Sequence, residues 1–373
     1  MNSRERWNAV LHYKPCDRVF NREFGYWDET IPRWHTEGLD AKYNDEGTLD
    51  SFIGFDGMEG ISLKLGFLYP FAEKVIEENK DYKIVVDHEN VTKKIFTGGA
   101  TSIPHYIDYG LKDRETWKEY KQRLVKDRAK RIPADIDARV AKAKATGNPV
   151  IISAGSLLGV PRDLIGFENF AMMFYDDPVL MEEIIETWAD LIVDTLEPVL
   201  KKHTFDAASM WEDIAFNHGP IISPEMFNKY AAKHYKRITG LLGKYGTDLT
   251  FLDCDGRIYD LAGCWLDCGV NIMFPIEVNG TDPLELRKRF GKEMRLMGGV
   301  DKTKLSKGKT EIDAELRRIL PLVENGGYIP HVDHRCPPDV SWPKFVYYLN
   351  KKKEIFKMKD WDLDKVNATL KRL

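Results

Sequence analysis

Five cysteines in 373 residues are too few for a disulfide framework, so a reduced, cytoplasmic protein is expected. Positive charge is not in excess either. The net charge is −4 and no Lys/Arg stripe runs along the chain, which argues against nucleic acid as a partner. No apolar run approaches the length of a membrane span, and no signal-type apolar segment follows Met1. No Gly-rich phosphate fingerprint follows a strand-like run, so nothing supports a dinucleotide fold. What the chain does have is core material. It is 43% hydrophobic and 12% aromatic, enough for one large domain, 1–373.

From Pro149 onward the pattern is regular. Short β-branched or apolar runs at 150–153, 206–211, 248–253, 271–276, 294–298 and 328–332 each precede a helical stretch. Helix signals agree. Ser223 caps with Pro224 behind it, Asp282 caps with Pro283, and Gly326-Gly327 ends the helix at 311–325. Repeated strand-then-helix units with short connections predict a parallel sheet, and their number fits a (β/α)8 TIM barrel better than an open sheet. The N-terminal third must then supply the remaining strands. Residues 18–24 are one candidate. Residues 50–98 alternate differently and read as an inserted lid of antiparallel strands.

In such a barrel, chemistry sits at the C-terminal ends of the strands. The ionisable clusters fall there: Glu212-Asp213, Asp253-Cys254-Asp255, Glu277, Asp301-Lys302, and His331 to Asp339. Asp253 and Asp255 are two apart, so they share a face with Phe251 while Cys254 turns away. Glu277 follows an apolar run and needs a cation, a donor or a metal. Asp333 could orient His334. Oxygens plus one or two imidazoles suit catalytic zinc with an open position.

Other groupings are weaker. Cys264 and Cys268 share a helical face and read as core residues. Cys336 precedes two prolines and packs as readily as it ligates. Glu182 and Glu197 lie on one long predicted helix about 22 Å apart, too far to share an ion with each other, although His218 overhangs the rim. The aromatics Tyr26, Trp27, Trp211 and Phe274, with His218, would seat a flat ligand.

Taken together, Asn21 to Trp27, Trp211-Glu212-Asp213, Gly219 to Phe227, Asp253 to Gly256, Pro275-Ile276-Glu277, Gly298 to Lys302 and Gly326 to Asp339 resemble the uroporphyrinogen decarboxylase superfamily. Within it the chain is similar to the cobalamin-dependent methyltransferases. The likeness runs from Ser3 to Phe356. Departures from the family pattern narrow the expectation. The basic N-terminal motif that holds a tetrapyrrole's carboxylates is reduced to Arg22. The His-x-Cys zinc pair of thiol-methylating relatives is replaced by Asp253-x-Asp255. A harder site suits an oxygen substrate.

The resemblance therefore implies the ether-cleaving branch, in which an anaerobic O-demethylase passes a methyl group from an aryl methyl ether (a methoxyarene) to Co(I) of a separate corrinoid protein. No Asp-x-His-x-x-Gly motif is present, so cobalamin would come with that partner. Zinc held by Asp255, Glu277 and His334 would act as Lewis acid, or Glu212 or His331, with Asp253 beside them, would handle the proton. Alternatives are a corrinoid-dependent methyltransferase acting on a thiol or amine, or a decarboxylase-like lyase. Homo-oligomerisation is left open.

Overall fold

The computed structural model describes residues 1–97 and 104–370. Its centre is a curled, all-parallel sheet of seven strands, consistent with a TIM-like barrel. In spatial order these are Glu59–Ile61, Val150–Ser153, Ala207–Trp211, Thr250–Asp253, Ile272–Ile276, Arg295–Val300 and Tyr328–Val332. All six runs read from the C-terminal two-thirds are strands, and each pairs with its neighbour in sequence. Helices follow them, among them Pro178–Leu200, Ala232–Lys244, Pro283–Phe290, Lys309–Asn325 and Trp342–Ile355.

Two apolar layers result. Ile151, Ala207, Leu249, Phe251, Ile272, Met297 and Ile329 meet inside the sheet with Trp7 and Phe20. Residues one place further along each strand, such as Ile152, Ala208, Leu252 and Met273, pack outward against the helices. This is the period-two alternation of strands expressed on a curled sheet.

Residues 18–24 were expected to be a strand. They run extended but form no ladder with the sheet, because side chains take the hydrogen bonds that a strand backbone would make. The Glu23 carboxylate accepts from the Val332 N–H at 2.8 Å, and Asp56 accepts from the Asn21 N–H at 2.8 Å. Glu23 is wholly buried and receives Tyr348 Oη at 2.9 Å and Lys352 Nζ at 2.7 Å. Just beyond, the Cys336 N–H donates to the Gly25 carbonyl and Trp27 N–H donates to the Cys336 carbonyl. The segment is thus stitched to the end of the last strand on one side and to the approach to Glu59–Ile61 on the other.

The antiparallel insertion is present and shifted. Its four strands are Lys74–Glu78, Tyr82–Val86, Val91–Phe96 and His105–Tyr109, paired in that order. The expected start at residue 50 lies instead in helix Glu46–Ile53, and Glu59–Ile61 belongs to the parallel sheet. Glu-Gly-Ile carries too little apolar pattern to signal a buried strand. The expected end, Gly98, lies outside the described residues. No helix among the described residues is long and apolar enough to cross a membrane.

Candidate active site at the strand ends

Past the ends of Ala207–Trp211 and Thr250–Asp253, three carboxylates converge. Asp213, Asp253 and Asp255 each place an oxygen within 4.8 Å of the others. The alternation expected around Cys254 holds: Asp253 and Asp255 are half-buried on the inner face, while Cys254 is buried on the other. Asp213 reaches them through a left-handed backbone, φ 46°, a conformation that Asp tolerates better than bulky residues do. Its carboxylate accepts the Asp255 N–H at 3.1 Å.

Crowding three acids in a partly dry mouth has an electrostatic consequence. Burial, then Asp213 and Asp255, push the Asp253 carboxyl up to about 8. Burial and Asp255 raise Asp213 as well. Arg162 donates to the Asp213 carbonyl at 2.7 Å, and His334 places Nε2 3.4 Å from Asp255 Oδ2. Its ring stacks on Trp27 at 5.6 Å and meets Phe24 edge-on at 5.2 Å. The other Asp255 oxygen, Oδ1, is buried without a hydrogen-bond partner.

Of the expected metal set Asp255, Glu277 and His334, the first and last are neighbours. Glu277 is engaged elsewhere: Oε1 lies 3.2 Å from Lys302 Nζ and Oε2 accepts the Gly256 N–H at 3.1 Å. The requirement for a cation and a donor after that apolar run is thus met by protein groups. Asp333 does not orient His334. It accepts the Val278 and Lys302 N–H groups, and burial raises it to about 6.

Glu212, expected to handle the proton, is fully buried and turned into the fold. It accepts from Ser156 Oγ, from the Leu157, Leu158 and Gly159 N–H groups and from Tyr235 Oη, at 2.6–3.0 Å. It caps the start of helix Gly159–Ile165. A Cβ at position 159 would lie 2.3 Å from the Glu212 carbonyl oxygen, so only glycine allows this approach.

His331 is also fully buried, and burial lowers it to about 3. Its Nδ1 lies 2.7 Å from the Val332 carbonyl. A carbonyl can only accept, so Nδ1 carries the proton and Nε2 holds a bare lone pair. At neutral pH His331 is therefore not an acid toward the mouth.

The expected ring-binding residues separate. Trp211 lines a cavity of about 380 Å³ that also includes Phe251 and Asp253. Phe274 does not line that cavity; it packs edge-on against Phe24 and Phe251 at 4.8 and 5.7 Å. Tyr26 is instead core: it packs on Trp34 and Phe345 and donates to Asp50 at 3.0 Å. His218 is exposed on the hairpin beyond Trp211.

The dispersed alternative is accounted for by ordinary ion pairs, Glu182 with Lys233 and Glu197 with Lys201. Cys336 is buried, with its thiol pushed well up by burial, and packs under the proline loop. The residue under-weighted by sequence reasoning was Asp213. Its signal was parity, since Asp213 shares a face with Trp211 as Asp255 does with Asp253.

A parallel TIM-like sheet with acids gathered at its C-terminal strand ends is the architecture of barrel-type proteins, the class in which chemistry sits at that mouth. The chain belongs to the uroporphyrinogen decarboxylase (URO-D) family, whose sequence pattern it matches over residues 95–350. Among solved structures it is similar to a methyltransferase from Methanosarcina mazei, with TM-score 0.59 and 13% identity over 96% of this chain and 99% of that one. A B12-independent methionine synthase from Shewanella sp. lies further off, with TM-score 0.39 and 14% identity over 77% and 75% of the two chains. No curated protein sequence matches.

Proposed function

We propose that the protein is a methyltransferase that removes the methyl group of an aryl methyl ether and delivers it to the Co(I) corrinoid of a separate protein. The observation that carries this reading is Asp253. Its carboxyl lines the cavity, and burial and two neighbouring acids raise it to about 8. An aryloxide is a poor leaving group unless its charge is neutralised as it forms, and a proton held near neutral pH meets that need. The methyl carbon–oxygen bond breaks, the methyl group passes to cobalt, and the Asp253 proton goes to the departing oxygen. Trp211 and Phe251 would hold the ring. The cavity of about 380 Å³ suits one substituted ring rather than a tetrapyrrole.

The same carboxylates fit a divalent cation. Their oxygens lie within 4.8 Å of one another, and Asp255 Oδ1 has no other partner. Asp213, Asp253 and Asp255 would hold the ion, with the His334 imidazole beside them. The donors are oxygens, which favour a hard cation and admit zinc through the imidazole. A bound ion would supply Lewis-acid polarisation of the ether oxygen.

Metal analysis separates the two forms. Protein purified without chelator should retain a divalent metal that is lost in Asp255→Ala, reduced in His334→Ala and kept in Glu182→Ala. Less than about a tenth of an equivalent in the wild type would leave the Asp253 proton as the activating group.

The function itself is tested by mixing the protein with a Co(I) corrinoid protein and methoxyarenes and following methyl-cobalt absorbance. Methylation from aryl ethers is the expected result. Methylation only from methylated thiols or amines would reject the ether reading.

A further inference from the structure

The cavity holds a second polar feature, and it lies away from the acids. Ser153 and Ser209 both line it. They stand on adjacent strands in direct register, and Ser209 is in turn level with Phe251. Their side chains share the inner face and sit about 5 Å apart across the sheet. Both residues are half-buried, while Ile152, Ala154, Ala208 and Met210 on either side are buried, as alternation requires. Neither hydroxyl meets a protein hydrogen-bond partner among the described residues. By contrast Ser156, which also borders the cavity, is occupied by Glu212.

Trp211 and Asp253 form the next inward-facing pair, two residues beyond Ser209 and Phe251 on those two strands, so Ser153 stands one strand further from Asp253 than Ser209 does. Two residues of strand rise about 6–7 Å and neighbouring strands lie about 4.8 Å apart, so between backbones Asp253 is about 8 Å from Ser209 and about 12 Å from Ser153. A benzene ring carrying an oxygen at each end, with a hydrogen bond of about 2.8 Å beyond each oxygen, spans a distance of that order. A ring seated against Trp211 and Phe251, with its reacting oxygen at Asp253, would bring the far side to the two serines.

We infer that Ser153 and Ser209 read an uncharged oxygen substituent, a hydroxyl or carbonyl, on the side of the ring opposite the ether. The inference rests on the aryl ether reading for which oxygen faces Asp253. A hydroxyl can donate and accept, so two of them satisfy a neutral oxygen completely. They do not suit a carboxylate. No Lys or Arg lines this cavity, and the guanidinium over the Trp211 ring, that of Arg162, is already engaged by Asp163 and the Asp213 carbonyl, so an anion there would be desolvated with no free countercharge, a short distance from three acids. A site built to hydrogen-bond a substituent discriminates against the analogue that lacks it, because its own polar groups are then left unpaired.

The test is a binding experiment on the protein alone, without a corrinoid partner, using 4-methoxyphenol, anisole and 4-methoxybenzoate. Wild type should bind 4-methoxyphenol about tenfold more tightly than anisole, the effect of one to two neutral hydrogen bonds, and bind the benzoate most weakly. In the Ser153→Ala, Ser209→Ala double variant the preference for the phenol over anisole should fall below about twofold, with anisole affinity unchanged. Because each variant is its own control, a general loss of fold would lower both affinities and leave their ratio alone. The inference is overturned if the ratio survives the double substitution, if the benzoate binds best, or if wild type binds none of the three. Methyl transfer can fail with the binding pattern intact, and that outcome would reject the ether reaction while leaving the recognition of the far-side oxygen standing.

Discussion

Glu212→Ala should lower the stability of the protein by about 3–5 kcal/mol in denaturant unfolding. The wild-type carboxylate satisfies five donors in a site with no solvent access. Alanine leaves three N–H groups and two hydroxyls buried without an acceptor, and the methyl group cannot fill the space. Water entering the cavity would recover only part of the loss. Glu212→Gln should be intermediate, since its amide nitrogen would face N–H donors. Asp213→Asn, next in sequence, should unfold within about 1 kcal/mol of wild type, because Asp213 is half-buried and its oxygen can still accept the Asp255 N–H. A Glu212→Ala protein as stable as wild type but unable to transfer methyl would return Glu212 to the chemistry.

The second large effect concerns Asp253. Asp253→Asn removes the proton assigned to the leaving oxygen, and the rate of methyl transfer should fall about 10²–10⁴-fold. Its stability should move the other way, with a pH dependence whose sign follows from the raised carboxyl. The folded protein holds the Asp253 proton up to about pH 8, whereas the unfolded chain releases it near the ordinary Asp value of about 4. Between those two pH values the folded state binds more protons than the unfolded one, so this residue makes the wild type less stable as pH rises. The amide has no such dependence. The Asp253→Asn protein should therefore match wild type near pH 4 and become progressively more stable than it up to about pH 8, where the difference levels off. Unfolding curves at four or five pH values measure it. A constant difference across the range would mean that the Asp253 carboxyl is not raised.

These two residues also show where the sequence was sufficient. Asp253 and Asp255 could be placed on the inner face because strand alternation is a local rule, and Phe251 marked the inside. The same rule applied to Trp211 points to Asp213. Glu212 drew attention as the acid nearest the strand end, but in a barrel the intervening residue turns toward the helices. There it met Leu157, Leu158, Gly159 and Tyr235, from two other parts of the chain. Nothing within its own neighbourhood in sequence announces those donors. Glu277 is similar. Its need for a partner was legible, but the choice of Lys302 over a metal depended on which strand lies alongside. His331 looked like a proton carrier by composition. Burial and the Val332 carbonyl made it a neutral ring with its proton turned away.

Local periodicity by itself determined the six βα units, their parallel order and the rim on which the acids lie, because strands and helices each impose a repeat that apolar residues must follow. Pairing across distance was decided only by the tertiary structure. It replaced the expected strand at 18–24 with a segment held by the Glu23 and Asp56 carboxylates, since a side chain can take a backbone hydrogen bond without leaving any strand-like pattern. It also brought Asp213 to Asp253 and Asp255, where burial and then mutual repulsion raise Asp253 into the working range of a proton donor. A charge's effect falls with distance through space, and distance through space is what a linear sequence does not contain.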